Sequence, residues 1–239
     1  MRRKQVLVVG GGSAGWTAAA YLNAALNPGN QKLVDVSLIE SPDVPRIGVG
    51  EATVPNINRT LATIGINELE FMKATDATFK ASIRFVNWLD NKNKFYHHPF
   101  SRFGGGPNDN SGRRWLMSDR SVPFMNTISA QPVLCEMGLA PKVLEDTNLG
   151  IPVGYAFHMN ALKYADYLRD FSTARGVTHY LENVVDVRIT ETGSITEIVT
   201  EGGKNLNADL FIDCTGFASL LIEKKLGVDW IDFSEWLLC

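Results

Sequence analysis

Gly10, Gly12 and Gly15 stand at the spacing G-x-G-x-x-G, directly after the apolar run Val6-Leu7-Val8-Val9 and before the helix-forming run Trp16-Thr17-Ala18-Ala19-Ala20-Tyr21-Leu22. Strand, glycine turn and helix in that order make a cradle for a dinucleotide pyrophosphate. Gly10 permits the tight turn, Gly12 leaves the backbone open to the phosphates, and Gly15 lets the helix pack close to the strand. The helix start offers free N–H groups and the positive end of its dipole. A second apolar run, Val34-Asp35-Val36-Ser37-Leu38-Ile39, ends at Glu40, where a carboxylate can take both hydroxyls of an adenosine ribose. These residues do not separate FAD from NAD.

The elements around the cradle follow from composition and spacing. The chain has 239 residues and a net charge of −3, which gives no electrostatic case for nucleic acid. Cys135, Cys214 and Cys239 are scattered, so neither a metal site nor a disulfide framework is indicated, and a reducing, cytoplasmic location is expected. Arg2-Arg3-Lys4 is followed by too short an apolar stretch for a signal peptide, and no run is long enough to cross a membrane. The end, Trp236-Leu237-Leu238-Cys239, is apolar with no polar tail, as expected of a chain that stops inside an element.

Between Glu40 and the next glycines, Ser41-Pro42-Asp43-Val44-Pro45 reads as a loop. Residues 54–61 and 67–73 read as helices. Residues 78–88 alternate as one strand, with Phe79, Ala81, Ile83 and Phe85 on one face and Lys80, Ser82 and Arg84 on the other. Residues 91–114, rich in Gly, Asn and Pro, read as a long loop or lid. Asn160 caps a helix running to Arg175, stopped by Gly176. Strands are expected over 177–181, 184–189 and 195–200, the last two joined by a turn at Glu191-Thr192-Gly193-Ser194. The run Leu210-Phe211-Ile212-Asp213-Cys214-Thr215-Gly216-Phe217 repeats the opening logic, a strand entering a glycine turn and then a helix to Leu226. One nucleotide domain would then be built from residues 1–90 and 156–239, with residues 91–155 inserted as a substrate-side or lid region.

Four segments together resemble the flavin-dependent tryptophan halogenases. They are Gly10-Gly11-Gly12-Ser13-Ala14-Gly15-Trp16, Pro45-Arg46-Ile47-Gly48-Val49-Gly50-Glu51-Ala52-Thr53, Phe79-Lys80-Ala81-Ser82-Ile83-Arg84-Phe85 and Asp213-Cys214-Thr215-Gly216-Phe217. The resemblance implies an α/β fold, an FAD-binding Rossmann-like domain of the single-component flavin monooxygenase type. It implies FAD delivered reduced by a separate flavin reductase, and chloride or bromide oxidised with O2 to hypohalous acid. That oxidant would be guided by Lys80 to an electron-rich, indole-type aromatic substrate. The resemblance also places Gly11, Ala14, Ser41, Val49 and Ala52 along the FAD, and the backbone of Val184 at its adenine. A homodimer is compatible with it. From residue type alone, Lys80 reads as a solvated strand lysine; the surrounding motif gives it a role. Glu51 either shapes the flavin site or caps the following helix. His97 matches a histidine that stacks on the indole, whereas Pro99 stands where a phenylalanine closes the other face. That replacement argues against free tryptophan and for an indole or a larger indole-bearing molecule. The family's Trp-x-Trp-x-Ile-Pro signature and catalytic glutamate do not occur in these residues. An aromatic hydroxylase on the same fold, or a non-catalytic FAD-binding module, are the alternatives.

Overall fold

The structure, a computed structural model, describes residues 2–29, 31–92, 94–103, 106, 109–143 and 153–237. In chain order the elements are β1 (Lys4–Val9), α1 (Ser13–Leu26), β2 (Val34–Glu40), β3 (Gly50–Ala52), α2 (Asn56–Ile64), α3 (Glu68–Thr75), β4 (Thr78–Lys80), β5 (Ser82–Val86) and β6 (Phe95–Pro99). Short helices follow, α4 (Ser111–Leu116), α5 (Phe124–Ile128) and α6 (Gln131–Glu136). Then come β7 (Ala156–Asn160), α7 (Ala161–Thr173), β8 (Thr178–Leu181), β9 (Val184–Ile189), β10 (Ile195–Thr200), β11 (Asn205–Asn207) and β12 (Leu210–Asp213). They form two compact units, one of Met1–Val49, Ala62–Thr75 and Asn160–Cys239, the other of Gly50–Leu61 and Asp76–Met159.

The first unit holds a parallel sheet in the order β12-β1-β2-β8. β1 lies at its centre and is apolar from Val6 to Val9, all buried, as a strand covered on both faces requires. Leu7, Val9 and Ile39 pack with Val187 and Ile198 from the antiparallel β9–β10–β11 sheet, and with Leu221. α1 buries Trp16, Ala19 and Ala20, and is tied to α7 through the Thr17 and Tyr164 hydroxyls, 3.0 Å apart. Asn160 caps α7 as expected, its side chain accepting from the Lys163 N–H at 3.1 Å. The β9–β10 turn also forms as read, with Gly193 at φ 84°.

The segment after β12 departs from expectation. Only Gly216–Ala218 is helical, as one 3-10 turn, and the chain to Leu226 runs in turns. The Asp213 carboxylate is the reason. It accepts from the Thr215 hydroxyl at 2.6 Å and from the N–H groups of Thr215, Leu221 and Ile222 at 3.0, 2.8 and 3.0 Å. Backbone donors that a helix would use within itself are spent on that side chain.

In the second unit the single strand expected over 78–88 is broken at Ala81. β4 pairs antiparallel with β7, and β5 pairs antiparallel with β6. The two halves serve different sheets, so one alternation cannot describe both. Residues 91–114 are likewise not all loop: the aromatic run Phe95–Pro99 forms β6, and Ser111 begins α4. Residues 93, 104, 105, 107 and 108 of that stretch lie outside the described residues, as do Leu238 and Cys239. Helix α2 starts only after Pro55, so Glu51, on β3, does not cap it. Among the described residues no helix is long and apolar enough to cross a membrane.

Candidate functional site

The glycine turn between β1 and α1 has the form a dinucleotide cradle requires. Gly10 has φ 112°, and a side chain there would strike the Cys214 carbonyl; its N–H donates to Ile39 O at 2.8 Å. A side chain on Gly15 would strike the Gly10 carbonyl. Gly12 is different. A Cβ on it meets no described atom within 4 Å, and as N-cap of α1 it makes no side-chain cap bond. The turn at Gly12 thus borders open space, next to a helix start whose first N–H groups have no partner within the helix. The residues present suit a dinucleotide such as FAD. Ala14 is exposed beside them.

Glu40 sits at the end of β2, 9% exposed. Its carboxylate accepts from Arg46 Nη2 at 3.0 and 2.8 Å and from Nε at 3.3 Å. Arg46 also donates to Asp166 on α7 at 2.7 Å. Burial works against the Arg46 charge, but the two carboxylates hold it more firmly protonated than usual. His179 Nε2 lies 2.9 Å from Glu40 Oε1 without the alignment of a hydrogen bond, and its ring meets Trp16 edge-on at 5.1 Å. Ser41 meets Asn183 Oδ1 at 2.5 Å and accepts from the N–H groups of Asp43 and Val44, which fixes the turn after β2. Val49 O accepts from Ala161 N at 3.2 Å. Val184 packs beside the core at the start of β9. Gly10, Gly11, Gly12, Ala14, Gly15, Glu40, Ser41, Val49 and Val184 all belong to this one unit. Sequence reasoning missed Arg46 and His179; a basic residue within a few positions of the fingerprint acid was the available signal.

In the second unit Lys80 is 9% exposed, not solvated. Its Nζ donates to Thr53 O at 2.9 Å and lies 5.5 Å from the centre of the Phe100 ring. Thr53 is tied to β7 three times: its N–H and hydroxyl donate to Phe157 O at 2.9 and 3.0 Å, and the hydroxyl oxygen accepts from the Phe157 N–H at 3.0 Å. The lysine is therefore held by a carbonyl that is itself fixed. Burial, and then the Lys80 charge, hold the His158 imidazole below its ordinary range. Glu51 and Ala52 lie on β3, beside Thr53. His97, on β6, is 5% exposed. Both its nitrogens are engaged: Nδ1 lies 2.7 Å from the Ser82 hydroxyl and Nε2 is 2.9 Å from Glu136 Oε1. Pro99 pairs with Ser82 at the end of the same strand. Thr53, Phe100, Glu136 and His158 were not singled out in the sequence.

Residues 5–239 match the model of a protein family described as tryptophan halogenase. The chain belongs to the tryptophan halogenase family. Tryptophan 6-halogenase ThaL of Streptomyces albogriseolus is 35% identical to this family member, across 100% of this chain and 47% of its own length. Tryptophan 7-halogenase RebH of Lentzea aerocolonigenes is also 35% identical, across 98% of this chain and 46% of its own. A solved tryptophan halogenase from Shewanella frigidimarina superposes with a TM-score of 0.89 at 36% identity, covering 97% of this chain and 46% of that one. This halogenase-family chain thus spans about half the length of the relatives it matches. Solved neighbours include a tryptophan C-6 flavin-dependent halogenase from taromycin biosynthesis, TM-score 0.88, so the parallel sheet and glycine turn stand in a fold shared with flavin-dependent enzymes.

Proposed function

We propose that the whole protein halogenates an electron-rich, indole-type aromatic, with FAD held at the glycine turn and Lys80 directing the halogen. Bound reduced FAD, supplied by a separate flavin reductase, provides with O2 and chloride or bromide the hypohalous acid that the reaction consumes. The chain's own part is to bind and aim. Gly12 and the first turn of α1 receive the pyrophosphate, and Glu40 serves the ribose once Arg46 shares it. The Lys80 ammonium, desolvated and oriented by Thr53 O, offers its remaining N–H groups to hypohalous acid and fixes the position of the electrophile. Residues 91–155 supply the substrate side.

The observation that carries this reading is Lys80 itself, a buried lysine with an anchored head group inside one of the segments that carry the resemblance. The test is a Lys80→Ala variant of the full-length protein, given reductase, halide and an indole. Oxygen consumption should persist while halogenated product disappears. Regioselective halogenation at the wild-type rate would remove Lys80 from the chemistry, and oxygenated product without halogen would favour the hydroxylase reading.

A further inference from the structure

Ser82, His97, Cys135 and Glu136, from three different elements of the second unit, form one hydrogen-bonded chain. Its direction is set by the carboxylate. Glu136 accepts, so a neutral His97 ring presents Nε2–H to it at 2.9 Å and keeps Nδ1 as an acceptor. The Ser82 hydroxyl then donates to Nδ1 at 2.7 Å, and its free lone pair faces the Cys135 thiol at 3.4 Å. Every proton points the same way, from sulfur to carboxylate. Arg84 Nη1, 3.5 Å from the same Glu136 oxygen, keeps that carboxylate in place. His97 is buried, Cys135 and Ser82 are half-buried and Glu136 is exposed, so both ends of the chain, the sulfur among them, meet solvent.

We infer that Cys135 is an activated thiol, deprotonated through Ser82 by the His97–Glu136 pair, whose partner is a small hydroperoxide. A nucleophile joined to an imidazole that a carboxylate orients is the general arrangement for activation. Here a hydroxyl carries the proton between sulfur and ring. Cys135 sits in the last turn of α6, where the helix end opposes negative charge. The activation must therefore come from the relay. In the step, the Cys135 proton passes to Ser82 Oγ as the Ser82 proton passes to His97 Nδ1. The thiolate attacks one peroxide oxygen; an S–O bond forms and the O–O bond breaks. The departing hydroxide recovers the proton and leaves as water. Sulfur is oxidised by two electrons to a sulfenic acid and the peroxide is reduced. No flavin is needed, so the inference stands or falls apart from the halogenation reading.

Cys214 is the internal reference. Burial, and then the Asp213 charge, push its thiol up from the ordinary value. The purified chain is treated with hydrogen peroxide and dimedone, and adducts at each cysteine are followed by peptide mass spectrometry. Rates are divided by those in urea, which removes intrinsic differences. Cys135 should react at least tenfold faster than Cys214. Ser82→Ala and Glu136→Gln should each slow Cys135 at least fivefold and leave Cys214 unchanged; His97→Asn should do the same. Circular dichroism identifies any variant that fails to fold, and Glu136→Gln, at a half-exposed position, keeps a hydrogen-bond acceptor. Equal rates at Cys135 and Cys214 in the folded wild type, or a Cys135 rate that the folded relay variants leave unaltered, overturns the inference.

Discussion

A side chain on Gly11 would occupy space already filled by the carboxyl group of Glu40. The two residues face each other because β1 and β2 pair in parallel, Val9 opposite Ile39. Gly11 is not one of the three fingerprint positions. It is required by the acid at the end of the next strand, and its absence of a Cβ lets that acid lie against the turn.

The glycines of the turn should separate stability from ligand binding. Gly15→Ala drives a Cβ into the Gly10 carbonyl and should lower folding stability by about 3 kcal/mol, read from urea melts. Gly12→Val meets open space, so the melt should be nearly unchanged. Flavin affinity by fluorescence titration should nevertheless fall at least tenfold, about 1.4 kcal/mol.

Arg46→Met should destabilise the chain by about 2 kcal/mol, because it strips the aligned donors from a carboxylate that is 9% exposed. Repeated in a Glu40→Gln background the loss should shrink by half or more, since the two residues share one interaction. Equal losses in both backgrounds would place the effect on Asp166 instead.

Asp213 should give the fold an acid-sensitive component. Burial works against its charge, but the Thr215 hydroxyl and the N–H groups of Thr215, Ile222 and Leu221 hold its pKa below the usual carboxylate range. A depressed pKa stabilises the fold above the unfolded value of about 4 and loses that contribution as pH falls through the folded value. Asp213→Ala should cost about 2–3 kcal/mol at pH 7. Its stability should also decline less steeply than the wild type below pH 4, in denaturant melts across pH.

Lys80 can be watched through its neighbour. Burial comes first and the Lys80 charge second in holding His158 below its ordinary range. Lys80→Met should therefore raise the His158 titration midpoint, followed by imidazole proton NMR. An unchanged midpoint would separate the two side chains.

The substrate prediction rests on one ring face. With proline at residue 99, where the resemblance places a phenylalanine, the His97 ring has no aromatic partner at that position for holding an indole. A second face would add about 0.5–1.5 kcal/mol. In competition with the full-length enzyme, reductase and halide, indole should outrun tryptophan. A tenfold preference for tryptophan would refute this.

The nucleotide half was legible because its signals are local. The apolar run Val6–Val9, the glycines and Glu40 each follow from short-range rules, and β12 repeats them. The Lys80 half was less legible. Lysine at a polar position of an alternating strand reads as exposed. Its burial depends on the break at Ala81 and on Thr53 O, contacts between segments distant in sequence. The Asp213 turn was misread for a related reason: Leu220, Leu221 and Ile222 suit a helix, and only the carboxylate's claim on their N–H groups prevents it. Arg46 and Glu136 carry charges that composition assigns to solvent, and partner geometry alone gives them a place.

β1 lies between β2 and β12, with Val8 opposite both Leu38 and Ile212. During synthesis β1 emerges long before β12, its neighbour on one side, because Val6 pairs with Leu210. Until then β1 presents an unpaired apolar edge, the kind that recruits other chains. Closing it demands a loop from Val9 to Leu210, and contacts so distant in sequence slow folding. A nascent chain of this sequence should therefore lean on holdase chaperones until Asp213 has left the ribosome, and refolding from urea at high concentration should compete with aggregation.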